Sequence, residues 1–179
     1  DSDRVELTMN LKKKQRLILW IRKPDWADKA TLIINGKAEQ LLLGNDGYWM
    51  IDKVWNRKNR ISLQLPMHTY TENLIGTGRY VALLYGPYVL AGRMGKENLP
   101  STFWGKMNNT AMNKMDLSKV PVFNIPATQI PDHVEPVFER GTLRFNIHLK
   151  GFENVVLEPF YKIHFERYAI YWPTASSNE

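Results

Sequence analysis

Turn signals recur about every 8–12 residues along residues 1–92 of this chain, with apolar residues alternating between them. That spacing leaves room for strands and too little for helices. Val5, Leu7, Met9 and Leu11 alternate with polar residues, the period of a half-buried strand. Arg16 to Arg22 is an apolar run between arginines and reads as a strand buried on both faces. Pro24 stops it, and Asp25-Trp26-Ala27 makes a corner. The strand Ala30–Ile34 ends at Asn35-Gly36, a pair that favours positive φ at both positions, so a tight hairpin into Lys37–Leu43 is expected. Gly44 to Gly47 is a further turn before a strand over Tyr48–Trp55. Asn56–Asn59 turns the chain into Arg60–Met67, where Ile61, Leu63, Leu65 and Met67 alternate cleanly. Tyr80–Leu84 and Tyr88–Ala91 are broken by Gly86-Pro87, which predicts a bulge, an edge or a strand changing sheets.

Gly92 to Pro131 has no sustained period and is rich in Gly, Asn, Met and Pro, so a sub-domain boundary is expected there. Trp104–Met115 holds at most a turn or two of helix. Strands return with Leu143, Phe145, Ile147 and Leu149, then with Tyr161–Trp172. In that last run the apolar parity is odd at Tyr161, Ile163 and Phe165 but even at Tyr168, Ile170 and Trp172. Such a shift predicts a β-bulge near Glu166–Arg167. Thr174–Glu179 is a polar tail. The expected fold is all-β: a jelly-roll-like β-sandwich over 1–92, an irregular linker over 93–117 and a second, smaller β-unit over 118–179.

Composition narrows the function. At 179 residues, 44% hydrophobic and 12% aromatic, the chain can bury a core. It has no cysteine, which removes disulfides, thiolate nucleophiles and every zinc site that needs sulfur. The net charge of +6 is spread over turns, with Lys12–Lys14 in one group and Lys53, Arg57, Lys58 and Arg60 in another. No reading helix or RNA-binding aromatic motif accompanies it, so nucleic acid is not an expected partner. No apolar run is long enough to span a bilayer as a helix, and no signal-peptide pattern opens the sequence. The first residue is Asp1 rather than methionine, which points to a processed or excised chain.

No compact group of residues announces chemistry. His68, His133, His148 and His164 lack short metal-ligand spacing, so no metal or other cofactor is expected. Glycoside hydrolysis needs two facing carboxylates, and Glu135, Glu139, Glu153, Glu158 and Glu166 show no distinctive pattern. Pro136 directly after Glu135 argues against a helix that would align Glu135 with Glu139. Ser101 and Ser118 have no nearby histidine, and Gly76-x-Gly78 is too short for a phosphate loop. Asn108-Asn109-Thr110 fits a glycosylation sequon. Among six tryptophans, Trp20, Trp55 and Trp172 sit in or at the end of strand runs and read as core or interface. Trp26 and Trp104 fall in irregular segments, which makes them the candidates for contact with a sugar face.

Five pieces of the segment Leu19–Leu90 carry a resemblance. Leu19 to Ala27 (LWIRKPDWA) is similar to "LRIPxWA", and Ile34-Asn35-Gly36 with Gly47-Tyr48, Ile51 and Trp55 to "NG…GY..I.R.W". Ile61 to Met67 is similar to "I.L.LPM", and Val81 to Leu90 to "VAL.RGPLVY". In this order the pieces resemble the β-rich region that follows the catalytic barrel in the β-L-arabinofuranosidase family, glycoside hydrolase family 127. Pro159 to His164 and Arg167 to Trp172 resemble the end of members with an added C-terminal domain. Lys58-Asn59-Arg60 replaces the family's Gly-Asp, and Tyr85 replaces its arginine before Gly-Pro. The family's catalytic glutamate and zinc-bound cysteines belong to an α/α-barrel that no segment here matches. The resemblance therefore implies a non-catalytic C-terminal accessory domain. Its partner would be the barrel of a parent chain, and its setting the periplasm or the extracellular space. The alternative is an independent carbohydrate-binding module that grips a plant-type oligosaccharide through exposed aromatics.

Overall fold

The computed structural model describes residues 3–44, 46–76, 78–96, 120–139 and 141–175. Apart from two 3-10 helices, Ala127–His133 and Phe160–Lys162, every regular element described is a strand, so the protein is all-β. The chain divides into two compact units, Asp1–His68 and Thr69–Glu179.

The first unit is a sandwich. Strands β1 (Arg4–Asn10), β3 (Thr31–Ile34), β4 (Lys37–Glu39) and β7 (Lys58–Gln64) form one antiparallel sheet in the order β1-β7-β3-β4. Strands β2 (Gln15–Arg22), β5 (Leu42–Leu43) and β6 (Tyr48–Trp55) form the other in the order β2-β6-β5. Their inner faces share one core: Leu32, Ile34, Ile61 and Leu63 from the first sheet meet Trp49, Ile51 and Trp55 from the second, with Ala27 of the corner. The alternation of β7 thus points Ile61 and Leu63 inward as expected. Asn35 (φ 51°) and Gly36 (φ 81°) make the tight hairpin that pairs Ile34 with Lys37. The stretch beyond does not stay one strand: β4 belongs to the first sheet and β5 to the second, so the chain crosses between layers at residues 40–41. At the turn between β6 and β7, Asn59 is buried. Its amide donates to the Asn56 carbonyl at 2.7 Å and its oxygen accepts from the Asn56 N–H at 3.1 Å.

In the second unit β8 (Thr69–Asn73), β9 (Tyr80–Tyr85), β10 (Tyr88–Arg93), β11 (Val134–Glu139), β12 (Thr142–Ile147), β13 (Val156–Pro159), β14 (Tyr168–Ala169) and β15 (Tyr171–Pro173) build one sheet. Its central order is β11-β12-β13-β10-β9-β15, with β8 on β9 and β14 on β10. One face carries Val81, Leu83, Leu90, Phe145, Leu157 and Trp172. It is covered by irregular segments rather than a second sheet: Phe123, Ile130 of the first 3-10 helix and Phe152 pack on it. Phe123 stacks on Phe152 with centroids 4.3 Å apart. Pro136 is accommodated because β11 is an edge strand, paired with β12 alone in the sheet order.

Several expectations are revised. The division falls at His68/Thr69 rather than beyond residue 92, because β10 pairs with β13 and β9 with β15. The second unit is therefore the larger. Gly86-Pro87 is neither bulge nor sheet change but the two-residue turn of a hairpin: Tyr85 pairs with Tyr88, and Gly86 supplies the positive φ of 52°. Residues 161–172 are not one bulged strand. A 3-10 turn and a bend precede the two short strands β14 and β15, and Phe165 adopts φ 56°. The expected linker and Trp104–Met115 lie largely outside the described residues.

Candidate functional site

Residues directly opposite in an antiparallel pair share a face. On the outer face of the three-stranded sheet, Trp20 faces Met50 and Met50 faces Leu42. Ile18 faces Asp52, Arg16 faces Val54 and Arg22 faces Tyr48. Ile18, Trp20, Leu42, Tyr48 and Val54 are each 39–51% exposed, so β2 is not buried on both faces as its composition suggested. The ring of Trp20 lies across Gly44, where an added Cβ would come within 3.3 Å of it. Arg16 grips Asp52 with two hydrogen bonds of 2.9 and 2.8 Å at one end of this patch, and holds that carboxyl below its ordinary range. The outer face of the other sheet is different. Arg4 and Arg60 both pair with Glu6, at 2.5 and 2.6 Å, and Arg4 also donates to Ser62. The outer face of the first sheet carries these ion pairs beside exposed Ile33; that of the second is mainly apolar, with Arg22 and the Arg16–Asp52 pair at its ends.

The second unit holds a buried ionic clasp. Glu158 on β13 and Glu166 in the bend before β14 have side chains 4% and 9% exposed. Arg93 on β10 bridges them, donating to Glu158 at 2.8 Å and to Glu166 at 2.6 Å, while Arg144 on β12 donates to Glu158 at 3.0 Å. Burial pushes the Glu158 carboxyl up, but Arg93 and then Arg144 outweigh it, so its pKa lies below the ordinary 4.5. Glu158 raises the pKa of Arg93 in return. Such a carboxyl is held ionised near neutral pH and is a poor proton donor, which removes it as a general acid.

The clasp fastens residues 160–168 to the sheet. Met94 donates its N–H to Arg167 at 2.9 Å, Arg167 donates to Gly95 at 3.0 Å, and Ile163 is buried. Along this arm Phe160, Tyr161, Phe165 and Tyr168 are 37–63% exposed. Phe165 occupies the left-handed region, which costs a bulky residue roughly 1–3 kcal/mol.

The remaining candidates are scattered. Glu135 meets His148 at 3.0 Å on the surface, and Glu153 accepts from the Gly151 N–H. Among the described residues no three His, Asp or Glu side chains gather as a metal site. A cleft of about 620 Å³ is lined by Asn73, Arg79, Asn124, Thr128 and Thr174 with Pro126, and a second of about 460 Å³ by Asn146, His148, Phe152 and Val156. Among the described residues no glutamate lines the first and Glu153 lines the second, so no pair of the described candidate carboxylates faces across either cleft. Trp49, Trp55 and Trp172 are buried, and Trp26 is half-buried against the sandwich core. Trp104 lies outside the described residues. Trp20, expected in a core or an interface, is outside the core and the most exposed tryptophan among the described residues. No helix among the described residues is long and apolar enough to cross a membrane.

Residues 70–174 match the family model of DUF4986, described as a domain of unknown function. The chain belongs to the DUF4986 family. Residues 1–67 match the middle domain of the β-L-arabinofuranosidases of glycoside hydrolase family 127 (GH127). The gap between the two matches coincides with the structural division at His68/Thr69. The first unit is thus related to the middle domain of that family. No curated protein matches the sequence. Among solved structures, the chain is similar to the GH127 β-L-arabinofuranosidase Ara127N of Geobacillus stearothermophilus T6, at 16% identity and a TM-score of 0.67. A glycoside hydrolase and the GH127 β-arabinofuranosidase BT3674 follow at TM-scores of 0.60 and 0.55, each at 14% identity. These similarities concern the fold. They cover 95–98% of this chain but 29–31% of each neighbour.

Proposed function

We propose that this chain is a non-catalytic accessory β-module of a longer glycoside hydrolase of the β-L-arabinofuranosidase type, packing against that enzyme's catalytic α/α-barrel. The observation that carries the reading is the outer face of the sheet β2-β6-β5. A soluble sandwich normally sets polar residues on both outer faces, yet here Ile18, Trp20, Leu42 and Val54 stand on one while ion pairs cover the other. A mainly apolar sheet face, with Arg22 at one end and the Arg16–Asp52 pair at the other, suits burial against protein. The clasped and scattered carboxylates favour a supporting role over chemistry. The same reading puts the enzyme in the periplasm or outside the cell, which fractionation of the native source would test.

The direct test is association of this chain with a separately expressed upstream portion of the same reading frame. Co-elution is expected, and Trp20→Lys should abolish it while leaving the chain's own melting temperature within a few degrees, as befits a surface position. Aryl arabinofuranosides should be untouched by this chain alone. Turnover that a single substitution within the chain abolishes would sink the reading, as would co-elution indifferent to Trp20→Lys.

A further inference from the structure

The arm over residues 160–168 presents four half-exposed or exposed rings in nine positions. It is held at both ends: by the 3-10 turn Phe160–Lys162 with buried Ile163, and by Glu166 on Arg93 with the two backbone bonds around Arg167. A segment fastened in this way has already lost its conformational freedom, so burying its rings against a partner incurs little further entropy cost. Phe165 is kept in a backbone region that bulky residues avoid, with its side chain 63% exposed. Tyrosine and phenylalanine are the side chains that concentrate at the centres of protein interfaces.

The geometry of the rings selects the partner. Phe160 tilts 56° against Tyr168 at 4.9 Å, Tyr161 tilts 46° against Tyr88 at 5.7 Å, and the Lys162 ammonium sits 5.7 Å from the Tyr161 ring centre. These rings are not coplanar and neither described cleft contains them, so they offer no platform for stacked sugar rings. Two separate tilted pairs of rings suit interdigitation with protein side chains. We propose that this arm is a second anchor for the same longer chain, separate from the Trp20 face, with Tyr161 and Phe165 buried in the assembled protein. This inference rests on the accessory-module reading, in which the roughly seventy per cent of each structural neighbour that this chain does not span supplies the opposing surface.

Hydroxyl-radical footprinting reads each ring separately and distinguishes the two ideas. This chain alone is compared with the product of the complete reading frame. Oxidation of Tyr161 and Phe165 should fall about fivefold in the longer product, as rings pass from exposure to an interface core. Protection of Trp20 without Tyr161 and Phe165 would overturn the arm and leave the accessory-module reading standing. Protection of none of the three would overturn both. Protection of the arm by arabinan oligosaccharide added to this chain, without the longer product, would mark a sugar site and also overturn it. Phe165→Gly supplies a second check. It relieves the backbone while removing the ring and its contact with His164, whose centroid lies 6.4 Å away, so the longer product should lose more melting temperature than this chain alone. Equal shifts in both would count against the arm.

Discussion

Replacing Arg93 with methionine removes the bridge while keeping the apolar stem that crosses β10. Two charge-assisted hydrogen bonds, of 2.8 Å to Glu158 and 2.6 Å to Glu166, are lost together. Each contributes about 1.5–3 kcal/mol where the acceptor is buried. The Arg93 side chain is 36% exposed, however, so water reaches part of the vacated site and the loss falls short of the sum. Glu158 also keeps Arg144 at 3.0 Å. The expected cost is about 3 kcal/mol, the low end of the range for breaking a buried pair. At about 3–5 °C per kcal/mol for a unit of this size, the melting temperature should drop by about 10 °C. The pH dependence is the sharper test. In the parent the folded pKa of Glu158 lies below 4.5, so the unfolded chain binds the proton first as pH falls. Its contribution is complete above that value and disappears as pH drops through the lower folded pKa. In the variant the strongest opposing charge is gone, and burial favours protonated carboxyls. The gap between parent and variant should therefore be widest near neutral pH and narrow below about pH 4.5. Calorimetry across that interval decides it. A variant melting within about 2 °C of the parent at neutral pH, or a gap unchanged in acid, would refute the clasp as a stabilising unit.

Other outcomes follow from single sites. Gly92→Ala places a Cβ 2.5 Å from Cη2 of the fully buried Trp172, so denaturant melts should show a loss of about 1–3 kcal/mol or more; parental stability would mean that the ring shifts freely. Leu63→Asp puts an unpaired charge into the sandwich core and should unfold the first unit by circular dichroism, and a melt near that of the parent would show that this face is not buried. Asn59→Ala removes two hydrogen bonds to the backbone of exposed Asn56, which water can replace in part, and should cost about 1–2 kcal/mol, while Asn59→Asp should recover part of it as an acceptor without the donor.

Much of the strand pattern was legible in the sequence because it is a local property. Ile61 and Leu63 alternate with polar neighbours, so whichever strand pairs with β7, both must face the core. Asn35-Gly36 forces a tight turn for the same local reason, through its tolerance of positive φ. The exposed patch was half legible: the apolar surplus of Arg16–Arg22 was visible, but apolarity does not distinguish a strand buried on both faces from one with an exposed apolar face. Tertiary structure decided the rest. That β10 pairs with β13, rather than closing a domain at residue 92, depends on a partner more than sixty residues away. The arm was read as a bulged strand because its parity shift is also what a bulge produces. Arg93, 65 and 73 positions from the two carboxylates it joins, and the backbone bonds around Arg167 reveal that residues 160–166 leave the ladder before the chain rejoins it at β14. Side-chain period states which face of a strand is buried. It carries no information about which strand lies alongside or which distant charge neutralises a buried carboxylate, because those choices are settled by the free energy of long-range contacts formed together.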